Sequence, residues 1–193
     1  GCGKSYLSFA LNYYIKEVLG KNCYFTGLDY NGAVIAESAR IAKQLHYNNM
    51  QFIETDIGAY EPDGQYDMLL TLHACDTATD YAIASAIKQN SKAILSGPCC
   101  QHELNQNYKQ SSNQAINQML KYGIVKERFL SLTTDVMRCE LLKEKGYDVA
   151  GMNCRFFCED EALLHSGDDI RDAKAVCEKL SIHFFVSDLR KEF

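Results

Sequence analysis

Proline is scarce, with two residues in 193, and apolar runs such as Met68 to Leu70 and Ala93 to Leu95 fall far short of a bilayer span, which takes ~20 apolar residues. No secretory signal pattern opens the chain, so membrane insertion and secretion are not expected. Positive charge is not in excess: 20 Lys+Arg stand against 25 Asp+Glu, a net charge of −5. Nothing therefore pulls the whole chain toward nucleic acid, and an RNA partner would need a local patch. A disulfide framework is also absent. Nine cysteines is an odd number, and the chain is too large and core-rich to need staples. What is present, 47% hydrophobic and 23% charged residues, describes a soluble globular protein with reduced thiols, expected in the cytoplasm.

Hydrophobic periodicity predicts a regular alternation of elements. Leu7, Ala10, Leu11, Tyr14, Ile15, Val18 and Leu19 make a helical stripe over Ser5 to Leu19, closed by Gly20. Asn22 to Leu28 reads as a strand ending at Asp29, Gly32 to Leu45 as a helix, and Met50 to Glu54 as a strand ending at Asp56. Tyr66 to Leu72 is a third strand, running into His73-Ala74-Cys75-Asp76. A helix over Ala78 to Lys88 and a strand over Ala93 to Ser96 follow, the latter running into Gly97-Pro98-Cys99-Cys100. Apolar strands alternating with helices predict an α/β fold of Rossmann-like, doubly wound type with a mostly parallel sheet. Ligands then bind at the carboxyl ends of the strands, where every unusual residue lies.

Residues 101–118 hold nine Asn or Gln and little apolar periodicity. They read either as a solvated stretch or as a substrate-facing insertion. A helix resumes over Ile124 to Lys145. The tail then offers a strand (Tyr147 to Phe157), an acidic loop (Cys158 to Gly167), a helix (Asp168 to Leu180) and a strand (His183 to Ser187), a βαβ-like unit that favours parallel pairing.

Gly1-Cys2-Gly3-Lys4-Ser5 has two readings. Gly3-Lys4-Ser5 matches the end of a phosphate-binding loop, while Gly1-x-Gly3 ahead of a helix suits close approach of an adenosyl cofactor. The acids downstream favour the second. Asp29, 26 residues after Gly3, fits a ribose-chelating acid, expected about 20 residues on, and Asp56 sits where an adenine amino group would be read. Either Asp alone could be a helix cap or turn carboxylate; their joint placement carries the reading. Because the glycine loop needs a feeding strand, the chain is expected to be trimmed at its start.

On these residues the chain resembles the class I S-adenosylmethionine-dependent methyltransferases: GCGKSYLSFAL is similar to motif I, GLDYNGAVIAESARIAKQL to the ribose-acid strand and its helix, and QFIETDI to the third strand. LHACDTATDYAI and GPCCQHEL, with their HxCxxATD and CCxH patterns, resemble a subfamily that includes tRNA ribose methyltransferases. The resemblance implies S-adenosyl-L-methionine as cofactor, held by Gly1, Cys2, Gly3, Asp29, Tyr30, Asp56, Ile57, His73 and Ala74. It covers about residues 1–147, giving a methyltransferase core over 1–145.

His73, Cys75, Cys99, Cys100 and His102 come from the ends of two expected neighbouring strands. They could form a zinc site, although Cys99-Cys100 lacks CxxC spacing; they could supply a cysteine nucleophile; or they could simply pack the rim. Methyl transfer to oxygen or nitrogen needs alignment and a base, for which His73, Asp76 and His102 are candidates. Asp76 could equally cap the helix after it.

LLKEKGYDVAGMNCRFF and SGDDIRDAKAVCEKLSIHFFVSDLRKEF resemble part of the ATP-binding domain of bacterial tRNA 2-thiouridylases, so residues 146–193 form a tail of different ancestry. That family's phosphate loop is absent, with Leu130 to Cys139 in its place, and no thiolation cysteine can be assigned among Cys154, Cys158 and Cys177. A fusion, an assembly error and a chimera would read alike. The expectation is a methyltransferase acting on RNA, possibly tRNA in view of both resemblances. Its alternatives are a nucleotide-binding module without turnover and an ATP-using 2-thiouridylase-related fragment. Oligomeric state is not legible.

Overall fold

A computed structural model describes residues 1–72, 74, 76–99, 101–155 and 166–189, with the backbone alone for 166–169. It divides into two compact units, Gly1–Ser131 and Leu132–Phe193.

In the first unit the glycine loop leads into α1 (Tyr6–Tyr13), which widens into a π turn over Tyr14–Val18. Gly20, at φ +61°, ends it, and the Lys21 N–H returns to the Ile15 carbonyl at 2.9 Å. Glycine suits this left-handed stop because it carries no Cβ. β1 is Phe25–Asp29, shorter than the predicted Asn22–Leu28 at its start. The reason is a contact from outside the strand: the Asn49 side-chain amide donates to the Cys23 carbonyl at 2.8 Å and to Asn12 Oδ1 at 2.6 Å. The fully buried Asn12 thereby ties α1 to the turn ahead of β2 (Met50–Glu54).

α2 (Gly32–Gln44) connects β1 to β2 and buries Ile35, Ser38 and Ala42, three positions on one helical face. The two strands pair in parallel from Phe25↔Met50 to Asp29↔Glu54. β3 (Met68–Leu72) and β4 (Ala93–Gly97) pair likewise, from Met68↔Ala93 to Leu72↔Gly97. Between them α3 (Thr77–Lys88) buries Thr79, Ala82, Ile83 and Ala86, again one stripe. Parallel strands joined by helices make this an α/β, Rossmann-like fold. Among the described residues each strand has one hydrogen-bonded neighbour, so the sheets are two strands wide. Ladders this narrow leave strand surface uncovered: Met68 is 51% and Leu72 42% exposed.

The Asn/Gln-rich stretch forms two short helices, α4 (Glu103–Asn107) and α5 (Gln114–Met119). Its amides serve local turns. Asn113 accepts from the Ala115 N–H at 2.9 Å, and Asn117 exchanges two 2.7 Å hydrogen bonds with the Ser111 backbone. Such side-chain-to-backbone bonds fold a segment that has little apolar face to bury.

α6 (Gly123–Glu144) contains the division between the units. In the second unit β5 (Ala150–Arg155), α7 (Ser166–Lys179) and β6 (His183–Asp188) form the βαβ arrangement, with parallel register from Ala150↔His183 to Arg155↔Asp188. Gly151 admits α7: a Cβ there would lie 2.6 Å from Cys177 Sγ. The predicted acidic loop, including Cys158, falls outside the described residues apart from its last two positions, 166 and 167. Among the described residues no helix is long and apolar enough to cross a membrane.

Candidate functional site

The carboxyl ends of β1, β2 and β3 open into a cavity of about 540 Å³, within the usual range for a small-molecule site. The glycine loop forms one wall. The Cys2 N–H bonds the Leu28 carbonyl at 2.6 Å, laying the loop against the end of β1. Gly3 adopts φ +51° with no atom within 4 Å of where a Cβ would stand, so its backbone faces open space. Gly1 has the opposite constraint, since a Cβ there would lie 2.2 Å from Asp29 Oδ2.

Asp29 is the centre of this arrangement. It is 7% exposed, accepts the Gly3 N–H on Oδ2 at 2.8 Å, and accepts the Asn31 N–H on Oδ1 at 3.0 Å. One carboxylate thus joins the glycine loop to the turn that starts α2, where Asn31 caps the helix through the Ala33 N–H at 3.0 Å. Each carboxylate oxygen has a second lone pair, and both Asp29 and Asn31 line the cavity.

Asp56 lines the cavity from the end of β2 and accepts the Gly58 N–H at 2.7 Å, capping a single 3₁₀ turn over Ile57–Ala59. Across that turn stands Tyr81, whose Cγ would lie 3.3 Å from a Cβ on Gly58. Tyr81, Thr77 and Ala78 present one end of α3 to the cavity.

Of the sequence-derived cofactor residues, Gly1, Cys2, Gly3, Asp29, Tyr30, Asp56, Ile57 and Ala74 all line this one cavity. His73, Cys75 and Cys100 lie outside the described residues. Asp76, His102 and Cys99 are described but do not line the cavity; His102 and Cys99 are exposed. Among the described residues no cluster of three His, Cys, Asp or Glu could hold a metal ion. Asp76 occupies the N-cap position of α3 without making a side-chain cap bond, so the capping alternative for that helix is not realised; its carboxylate accepts instead from the Glu103 N–H. Sequence reasoning missed Asn31, Thr77 and Tyr81. The signal available was the spacing of Thr77, Ala78 and Tyr81, which places them on one side of the first helical turn after a strand end.

Two further observations bear on the ligand. Ser5 is buried and turned toward α2, where Ser38 Oγ donates to it at 3.3 Å, whereas the phosphate-loop reading needs that hydroxyl on a metal ion in the site. Burial also pushes the Cys2 thiol above its ordinary value, with the nearby Asp29 charge acting in the same direction. Cys2 thus lines the wall as a thiol whose ionisation burial disfavours.

Comparison with known proteins finds two kinds of similarity. A family model described as a methyltransferase domain matches residues 1–107, a little over half of the chain. Among curated proteins, a tRNA-specific 2-thiouridylase of Rhizobium etli (strain CIAT 652) is 41% identical over 59 residues, 28% of this chain and 14% of that protein. The corresponding enzyme of Phocaeicola vulgatus is 37% identical over 59 residues, 28% and 16% of the two chains. Such relatives are thus matched over about one-sixth of their length or less. No solved structure matches.

Proposed function

This chain belongs to the methyltransferase-domain family whose model spans residues 1–107, and from that premise we propose that it is an S-adenosyl-L-methionine-dependent methyltransferase acting on RNA. The observation that carries the cofactor reading is Asp29, a buried carboxylate at a strand end that holds the glycine loop and still borders the cavity. A carboxylate so placed accepts the two hydroxyls of a ribose. The residues present fit the group: the cavity has the volume, Gly3 leaves its backbone open, and Asp56 and Tyr81 offer an acceptor and an aromatic face on the side of the 3₁₀ turn.

When bound, S-adenosyl-L-methionine supplies a methyl group made electrophilic by its sulfonium. The protein's own work is then alignment and proton removal. Asp29 and Asn31 would hold the ribose end and Ile57, Tyr30 and Tyr81 the base, with Ala74, 3% exposed, keeping the wall beside the end of β3 small. His102, in the segment after β4, is assigned the role of general base, with His73 as the other imidazole candidate. An RNA acceptor draws support from the tRNA specificity of the similar 2-thiouridylases, and from the resemblance of the HxCxxATD and CCxH patterns to ribose methyltransferases.

Titration calorimetry with S-adenosylhomocysteine and with ATP tests the cofactor. Binding of adenosylhomocysteine with no ATP binding is expected; the reverse would overturn the reading in favour of an ATP-using fragment. Transfer of label from radioactive cofactor to total RNA tests the acceptor, and label appearing in protein or small molecules alone would reject RNA.

A further inference from the structure

Asp76 joins β3 to α3 in a backbone conformation, φ +59° and ψ −136°, that residues with a side chain rarely adopt and that only surrounding interactions maintain. Glycine would hold this conformation without strain. The presence of aspartate therefore asks what its side chain does. Both carboxylate oxygens approach one donor, the Glu103 N–H, at 3.0 and 3.1 Å. Glu103 opens α4 and directly follows His102. Because Leu72 at the end of β3 is in register with Gly97 at the end of β4, this bond crosses between the loops that leave two neighbouring strands.

The same short stretch borders the cavity. Ala74, Thr77 and Ala78 line it on either side of Asp76, and the Thr79 hydroxyl pins the turn by donating to the Ala74 carbonyl. The backbone around Asp76 is thus cavity wall, while its carboxylate grips the segment carrying His102. We propose that Asp76 is a positioning residue: it latches α4 and His102 to the wall of the nucleoside cavity, so that occupancy of the cavity and placement of His102 are coupled. The coupling rests on the cofactor reading above; the latch does not.

The test uses the full chain, with S-adenosylhomocysteine as the probe, and follows the Glu103 amide and the His102 imidazole by NMR. In the wild type the Glu103 amide is expected to exchange slowly, and adenosylhomocysteine to shift the His102 resonances. Asp76→Asn keeps an acceptor oxygen and should stay within threefold of wild-type exchange, with the His102 response retained. Asp76→Ala should speed Glu103 exchange at least tenfold and abolish the His102 response while adenosylhomocysteine still binds. Should the alanine variant fail to fold, Asp76→Gly, which suits the backbone, carries the same expectation. Unchanged Glu103 exchange in both truncated variants would overturn the latch, and a His102 response surviving there would overturn the coupling. Failure of wild type to bind adenosylhomocysteine would reject the cofactor reading instead, with exchange in the ligand-free variants still deciding the latch.

Discussion

Asp29 acts on two backbone turns at once, so its removal loosens the glycine loop and the α2 entry together. Hydrogen bonds to a charged group contribute about 1.5–3 kcal/mol, and about 1.4 kcal/mol is a factor of ten in affinity. Asp29→Ala is therefore expected to weaken adenosylhomocysteine binding about 10- to 100-fold by calorimetry; unchanged affinity would refute the ribose role. Cys2 gives a second prediction. Its thiol is raised above the ordinary value of 9.0, chiefly by burial, which disfavours the thiolate. In the folded state it should react with iodoacetamide more slowly than in a peptide of the same sequence. The linkage has a definite sign, because the folded state holds this proton more tightly. The thiol's contribution to stability is fully present below pH 9.0 and is lost as pH rises through the higher folded value. Cys2→Ser should reduce that alkaline loss, measured by urea unfolding at pH 7 and pH 10.

At the scale of elements, α2 and α3 stand between core and site, and their first turns do both jobs. Asn31 caps α2 through the Ala33 N–H and also borders the cavity. Asn31→Ala should cost about 1 kcal/mol of stability, the usual value of an N-cap, and Asn31→Asp should restore it; equal loss in both variants would show that the cap is not what matters. α2, α3 and the strands between them were legible because apolar spacing and strand-end acids announce them. The ends of elements were less so. β1 starts late because Asn49, distant in sequence, takes the Cys23 carbonyl, and the π turn after α1 has no periodicity of its own. α5 was hidden because the Asn113 cap and a Ser111–Asn117 exchange fold it, with little apolar stripe, and α4 because the Glu103 N–H that opens it is met by Asp76, 27 positions earlier. Tyr81 was missed for a related reason. On a helix written as core-facing it is 55% exposed, and only its approach to Gly58, 23 positions earlier, brings it to the cavity.

For the whole molecule, the features that define a ligand gather in Gly1–Ser131, while Leu132–Phe193 contributes a separate parallel βαβ arrangement. Net charge of −5 over the chain supplies no general attraction for RNA, so acceptor binding depends on local geometry that strand and helix patterns do not encode. The proposed nucleoside site makes a sharper prediction, since a ligand that binds only the folded state stabilises it by mass action. At a concentration of adenosylhomocysteine 100 times its Kd the gain is about 2.7 kcal/mol. For a chain of this size each kcal/mol moves Tm by roughly 2–4 °C, so a rise of about 5–11 °C is expected in a thermal scan. Asp29→Ala should lose about half or more of that rise at the same ligand concentration, because a 10- to 100-fold weaker Kd brings the ratio to about 10 or 1 and the gain to about 1.4 or 0.4 kcal/mol. ATP at equal concentration should leave Tm unchanged. A rise with ATP and none with adenosylhomocysteine would assign the cavity to a different nucleotide and remove the basis for methyl transfer.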